Sequence, residues 1–200
     1  METNAYLPRP SPQNLLLLCG FSGVLFIAAF VVLGELAHNY NPVQGTISSL
    51  EFTSVGFAQQ LNFIVFGLLL IGFAFALRME LPSGRSARLI PLFQFISGLA
   101  VFGDGLFVHD PFHLICDLIA LISALLVLLL FAWRFWPQRR WRAWAYYTIA
   151  TALLMVAFLT AFGLNKHPGQ PGGLMEKLAT VTRSLWSMLL TIALYRGARL

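Results

Sequence analysis

Apolar residues along this chain fall into six long runs, at about residues 15–37, 56–77, 89–108, 112–133, 144–164 and 174–195. Each run is close to the roughly 20 residues that an α-helix needs to cross the hydrocarbon core of a bilayer. Polar and helix-breaking residues mark the borders. Ser11-Pro12 reads as an N-cap followed by proline at the first helical position, and Asp110-Pro111 repeats that pattern ahead of the fourth run. Pro91 is placed in the first turn of the third run, and the Pro168–Gly173 turn separates the fifth from the sixth. The first run has no short basic leader or small-residue cleavage site, so it reads as a retained span. The expected fold is all-α: a polytopic membrane bundle of six transmembrane helices, with residues 1–200 forming one integral membrane domain.

Composition agrees. The chain is 58% hydrophobic and only 10% charged, whereas soluble domains carry roughly 25% charged residues. That excludes a cytosolic enzyme, a nucleic-acid binder and a disordered regulator. The formal charge of +5 has a topological reading. Arg9, Arg78, Arg85, Arg88, Arg134, Arg139, Arg140, Arg142, Arg196 and Arg199 all fall on one side of the six-span map, against Lys166 and Lys177 on the other. By the positive-inside rule both termini are expected in the cytoplasm, in a bacterial cytoplasmic membrane with its lipids as partners. Trp133, Trp136, Trp141, Trp144, Tyr146 and Tyr147 sit at that same boundary as an expected interfacial belt. Cys19 and Cys116 lie in apolar runs and suggest neither a disulfide framework nor a CxxC site.

The remaining polar chemistry collects on the opposite side. His109, His113 and Asp117 are candidate ligands for a divalent metal such as zinc, since imidazole and carboxylate at close spacing suit that ion. The alternative is that Asp110 caps the fourth helix and the histidines are interfacial. Asp104 and Asp117 fall roughly 6–8 Å inside their helix ends, where a carboxylate costs about 2.5–3.5 kcal/mol. Arg183, near the midplane of the sixth span, is expected to pair with one of them, and Glu176, Thr180 and Arg183 share one helical stripe. Asp104, Asp117, Glu176 and Arg183 are therefore the candidate ligand-binding residues. Gln59, Gln60 and Asn62 read as interhelical hydrogen-bonding groups, and Ser48 with Glu51 as a capping box. No nucleophile elbow, zinc-protease, nucleotide-binding or dinucleotide motif is present.

Several blocks together carry a family resemblance: Gly103-Asp104-Gly105-Leu106-Phe107-Val108-His109-Asp110-Pro111, Arg142-Ala143-Trp144-Ala145-Tyr146-Tyr147, Gly173-Leu174-Met175-Glu176-Lys177-Leu178 with Trp186 downstream, and Ile47-Ser48-Ser49-Leu50. In these the chain resembles the bacterial six-span family catalogued as domain of unknown function 998. The resemblance implies polar family positions at Asp110, His113, Asp117 and the Glu176-Lys177 pair. The chain departs from it with Cys116 where a second histidine would fall and Lys177 in place of arginine. The family supplies no activity. From the residues, three functions are open: binding of a lipid head group or small ligand in an outward-facing polar pocket, metal-dependent intramembrane hydrolysis, and small-solute transport. With Pro91 placed in the first turn of its span, the helix interiors are expected to lack the proline breaks that would favour the last.

Overall fold

The computed structural model describes residues 12–108, 111–165, 167 and 169–196. Among them the chain forms α1 (Pro12–Gly20), α2 (Ser22–Leu36), α3 (Gly56–Glu80), α4 (Arg85–Asp104), α5 (Phe112–Phe135), α6 (Arg142–Leu164) and α7 (Gly172–Tyr195), with short 3-10 turns at Ser48–Phe52 and Arg139–Trp141. No strand occurs among the described residues. Helices α1 and α2 are one span, Gln13–Leu36, interrupted at Phe21, so six helical segments are long and apolar enough to cross a membrane. Large apolar side chains cover the outside of the bundle: Leu25, Val32, Val65, Leu118, Ile122 and Leu153 are all exposed. Such a surface is at rest only when hydrocarbon takes the place of water.

The third span differs from expectation. Its helix begins at Arg85, four residues before the apolar run, so Pro91 lies inside α4 and not in its first turn. The polar start is held by packing: Ser86 and Ala87 are buried, and Arg134 Nη1 donates to Ser86 Oγ at 2.8 Å. At the other end the Leu106 and Phe107 N–H groups both bond to Gly103 O at 2.9 Å, which closes the helix at Asp104. Asp104 is thus the last residue of α4, and not a turn or more inside it. The proposed N-cap residues Ser11 and Asp110 lie outside the described residues.

Successive helices pack as neighbours, and the first span closes the ring against α7. Backbone meets backbone where α3 crosses α4. A Cβ at Gly67 would meet Phe102 N at 2.5 Å, and one at Gly98 would meet Ile71 N at 2.8 Å. The two backbones touch there because neither residue has a side chain, the usual device for close crossing in lipid. At the arginine-bearing end, Trp141 stacks on Phe135 with centroids 5.0 Å apart and is buried, while Trp133 and Trp136 are exposed. Trp141 is therefore core and its neighbours form the belt. At the opposite, acidic end, residues 37–55 fold across the bundle. Asn39 takes φ 61° to turn the chain out of α2, a conformation Asn tolerates better than most residues.

Lys177 fixes that loop. Its Nζ donates to Pro42 O at 3.0 Å and Gly45 O at 2.5 Å, and it lies 5.3 Å from the Tyr40 ring centroid. The backbone of α7 joins in, with Leu174 N–H bonded to Val43 O at 2.8 Å.

Candidate functional site

Inside the bundle, toward the acidic end, is a cavity of about 380 Å³ with walls from α2 to α7. Most of the wall is apolar, including Phe66, Val101, Leu121 and Phe162. Leu114 and Leu118 of α5 and Gly163 of α6 belong both to this wall and to the exposed surface. The cavity is therefore a cleft that opens sideways between α5 and α6. Its polar groups are few: Asp117, Glu176, Thr180 and Arg183, with serines from α2, α4 and α7. The helical stripe read from the sequence is real, since Glu176, Thr180 and Arg183 all face this space.

Among the described residues, Arg183 is not paired with a carboxylate. Its Nη2 donates to Gln94 Oε1 at 2.9 Å, its guanidinium carbon sits 5.2 Å from the Trp186 ring centroid, and its buried Nε has no hydrogen-bond partner. The expected pairing with Asp104 or Asp117 is corrected by this geometry. Both acids lie nearer the end of the bundle, and the neutral amide of Gln94, itself fully buried on α4, comes to meet the arginine. Glu176, for its part, accepts the Ile47 N–H at 2.9 Å and so helps hold the covering loop.

The acids meet a histidine instead. One ligand atom each from Asp104, His113 and Asp117 lie within 4.8 Å of one another. His113 Nδ1 is 3.2 Å from the Asp104 carbonyl oxygen; a carbonyl only accepts, so Nδ1 carries the proton and donates. Nε2 is turned toward Asp117 Oδ2, 3.8 Å away. Asp104 is 2% exposed and its Oδ1 has no hydrogen bond. It also ends α4, where the helix dipole opposes a negative charge. His109 and Asp110 lie outside the described residues.

Glu51 was missed as a site residue. In place of a capping box with Ser48, Thr46 Oγ1 accepts the Ser49 N–H at 3.0 Å, and the Glu51 side chain turns inward. It is buried, with neither carboxylate oxygen hydrogen-bonded. Burial, and then the charge of Asp117, pushes its pKa up to about 7. The available signal was a carboxylate set between Leu50 and Phe52 in an otherwise small and polar loop. Of the amides, Asn62 acts as expected, its Nδ2 donating across to Phe26 O at 3.2 Å.

The family described as "Protein of unknown function (DUF998)" matches residues 21–193, nearly the whole chain. The chain belongs to this family. No curated protein and no solved structure matches the chain. In this DUF998 protein the cleft and the cluster at its rim are where polar chemistry gathers inside the bundle.

Proposed function

We propose that this DUF998 protein binds an amphiphile with an anionic group in the cleft between α5 and α6, in a bacterial cytoplasmic membrane with its acidic end facing outward. The carrying observation is Arg183. A guanidinium in the wall of an apolar cleft, held only by a neutral amide and a ring face and with a spare buried N–H, is a cation awaiting an anion. The lateral opening and the apolar wall suit a chain-bearing molecule. A phosphate or carboxylate group, on a lipid or free, is the chemistry Arg183 would recognise. A second reading, metal-dependent hydrolysis of a membrane lipid, draws support from the Asp104–His113–Asp117 cluster and requires a bound cation.

The test uses the full chain in a neutral detergent, to which a phosphatidylglycerol, a phosphatidylcholine or inorganic phosphate is added. Thermal stability and tryptophan emission are read, since Trp186 lies against Arg183. Phosphatidylglycerol should raise the melting temperature and shift the emission, and Arg183→Gln should remove both effects. If phosphate alone does as well, the occupant is a small anion. Equal responses of wild type and Arg183→Gln in every arm would overturn the reading.

A further inference from the structure

We propose that Asp104, His113 and Asp117 form a binding site for one divalent cation of the zinc type, with Glu51 as a neighbouring counter-charge. The site lies at the junction of α4 and α5, beside the cleft and separate from Arg183, so it does not rest on the amphiphile reading.

Three observations carry it. The first is convergence: the three ligand atoms lie within 4.8 Å of one another. With metal–ligand bonds of about 2.1 Å, tetrahedral ligand atoms stand about 3.4 Å apart. The 3.8 Å between His113 Nε2 and Asp117 Oδ2 already approaches that. The Asp117 side chain is half exposed. The second is the histidine's orientation. Nδ1 donates to a backbone carbonyl, the outer-sphere bond that fixes the tautomer of most metal-bound histidines and presents Nε2 as the ligand. The third is dissatisfaction. Asp104 Oδ1 and both Glu51 oxygens are acceptors buried to more than nine-tenths of their residues without a hydrogen bond, and His113 Nε2 is a fourth buried polar atom with none. Acceptors turned toward acceptors repel unless something positive stands among them.

Among the described residues, Lys177 donates to the carbonyls of Pro42 and Gly45, and Arg183 to Gln94. The mixed set of one imidazole nitrogen and two carboxylates favours zinc over magnesium or calcium, which take oxygen ligands. A fourth position is left for water.

The test measures zinc directly. Tag-free full chain in detergent is stripped with chelator, titrated with Zn²⁺ by calorimetry, and assayed for bound metal after gel filtration. One zinc per chain is expected. His113→Gln and Asp104→Asn should each weaken binding at least tenfold. The double variant His38→Ala/His167→Ala, which removes exposed imidazoles, should bind as wild type does, and so should Arg183→Gln. Helical circular dichroism and gel-filtration profile establish that each variant is folded. Two further charge-preserving variants, Asp104→Glu and Asp117→Glu, should retain measurable zinc if either proves poorly folded as the amide. Absence of stoichiometric zinc in wild type, or equal binding by folded His113→Gln, would overturn the site. Loss of zinc in Arg183→Gln would overturn its separation from the cleft.

Discussion

Arg183 offers a sharp quantitative test of the fold. If it were half of a buried ion pair, its removal would cost about 3–5 kcal/mol, because the abandoned carboxylate would remain in the bundle. Its observed partners give a different sum. Arg183→Met loses a charge-assisted hydrogen bond to Gln94 Oε1, worth about 1.5–3 kcal/mol, and a contact with the Trp186 face worth about 0.5–2 kcal/mol. Against these, it relieves the burial of a cation in a membrane helix, about 2.5–3.5 kcal/mol. The single change should therefore cost no more than about 2.5 kcal/mol in the unliganded protein, most of it the stranded Gln94 acceptor. Adding Gln94→Leu should recover that loss, while Asp104→Asn should show coupling to Arg183→Met below about 0.5 kcal/mol. The assay is equilibrium unfolding in mixed micelles, following helical circular dichroism as the denaturing detergent fraction rises. A loss above 3 kcal/mol for Arg183→Met, or rescue by Asp104→Asn and not by Gln94→Leu, would refute the assignment of Gln94 as partner.

Gly67→Val should destabilise by about 1–3 kcal/mol or more, because the new Cβ runs into the α4 backbone at Phe102, whereas Gly163→Ala, with open space around it, should stabilise by about 0.5–1 kcal/mol; micellar unfolding reads both. Lys177→Met removes the donor shared by Pro42 O and Gly45 O, so amide hydrogen exchange across residues 40–47 should accelerate at least tenfold while the centres of α3 and α4 keep their protection. In a background lacking Cys19 and Cys116, a cysteine at Asn41 should react with an impermeant maleimide from outside intact cells and one at Arg140 should not; the reverse pattern would overturn the proposed orientation.

The six spans were legible because insertion into hydrocarbon depends on length and apolar content, which a sequence displays directly. The ends of α4 were not. Arg85, Ser86 and Arg88 look like loop, yet they start the helix because Ser86 is buried against Arg134 of another span, a contact no local pattern contains. Likewise the stripe Glu176, Thr180, Arg183 followed from helical periodicity, but the partner of Arg183 did not. Charge complementarity points to aspartates, while the crossing of α4 and α7 delivers a glutamine. Glu51 was hidden by a plausible local role as a cap. Only the fold of the loop sends it inward, toward Asp104 and Asp117 on two other helices.

The cleft has its covering loop pinned at the acidic end and its opening between α5 and α6, in the belt of exposed leucines. For the proposed amphiphile the reservoir would then be the bilayer and not the water. An amphiphile is already confined to a film a few nanometres thick, so its working concentration at the mouth is a mole fraction among lipids, often a per cent or more. The hydrophobic driving force for leaving water, about 0.8 kcal/mol for each buried CH₂, has been spent before the molecule reaches the protein. Acyl chain length should thus contribute little to occupancy once a molecule is membrane-resident. Under the proposed function, discrimination among residents would fall to the few polar groups in the wall, Arg183 foremost, and competition would be set by which lipids neighbour the protein. Affinity measured against a dispersed monomer in solution would chiefly report partitioning; titration by lipid fraction in a bilayer would report the site.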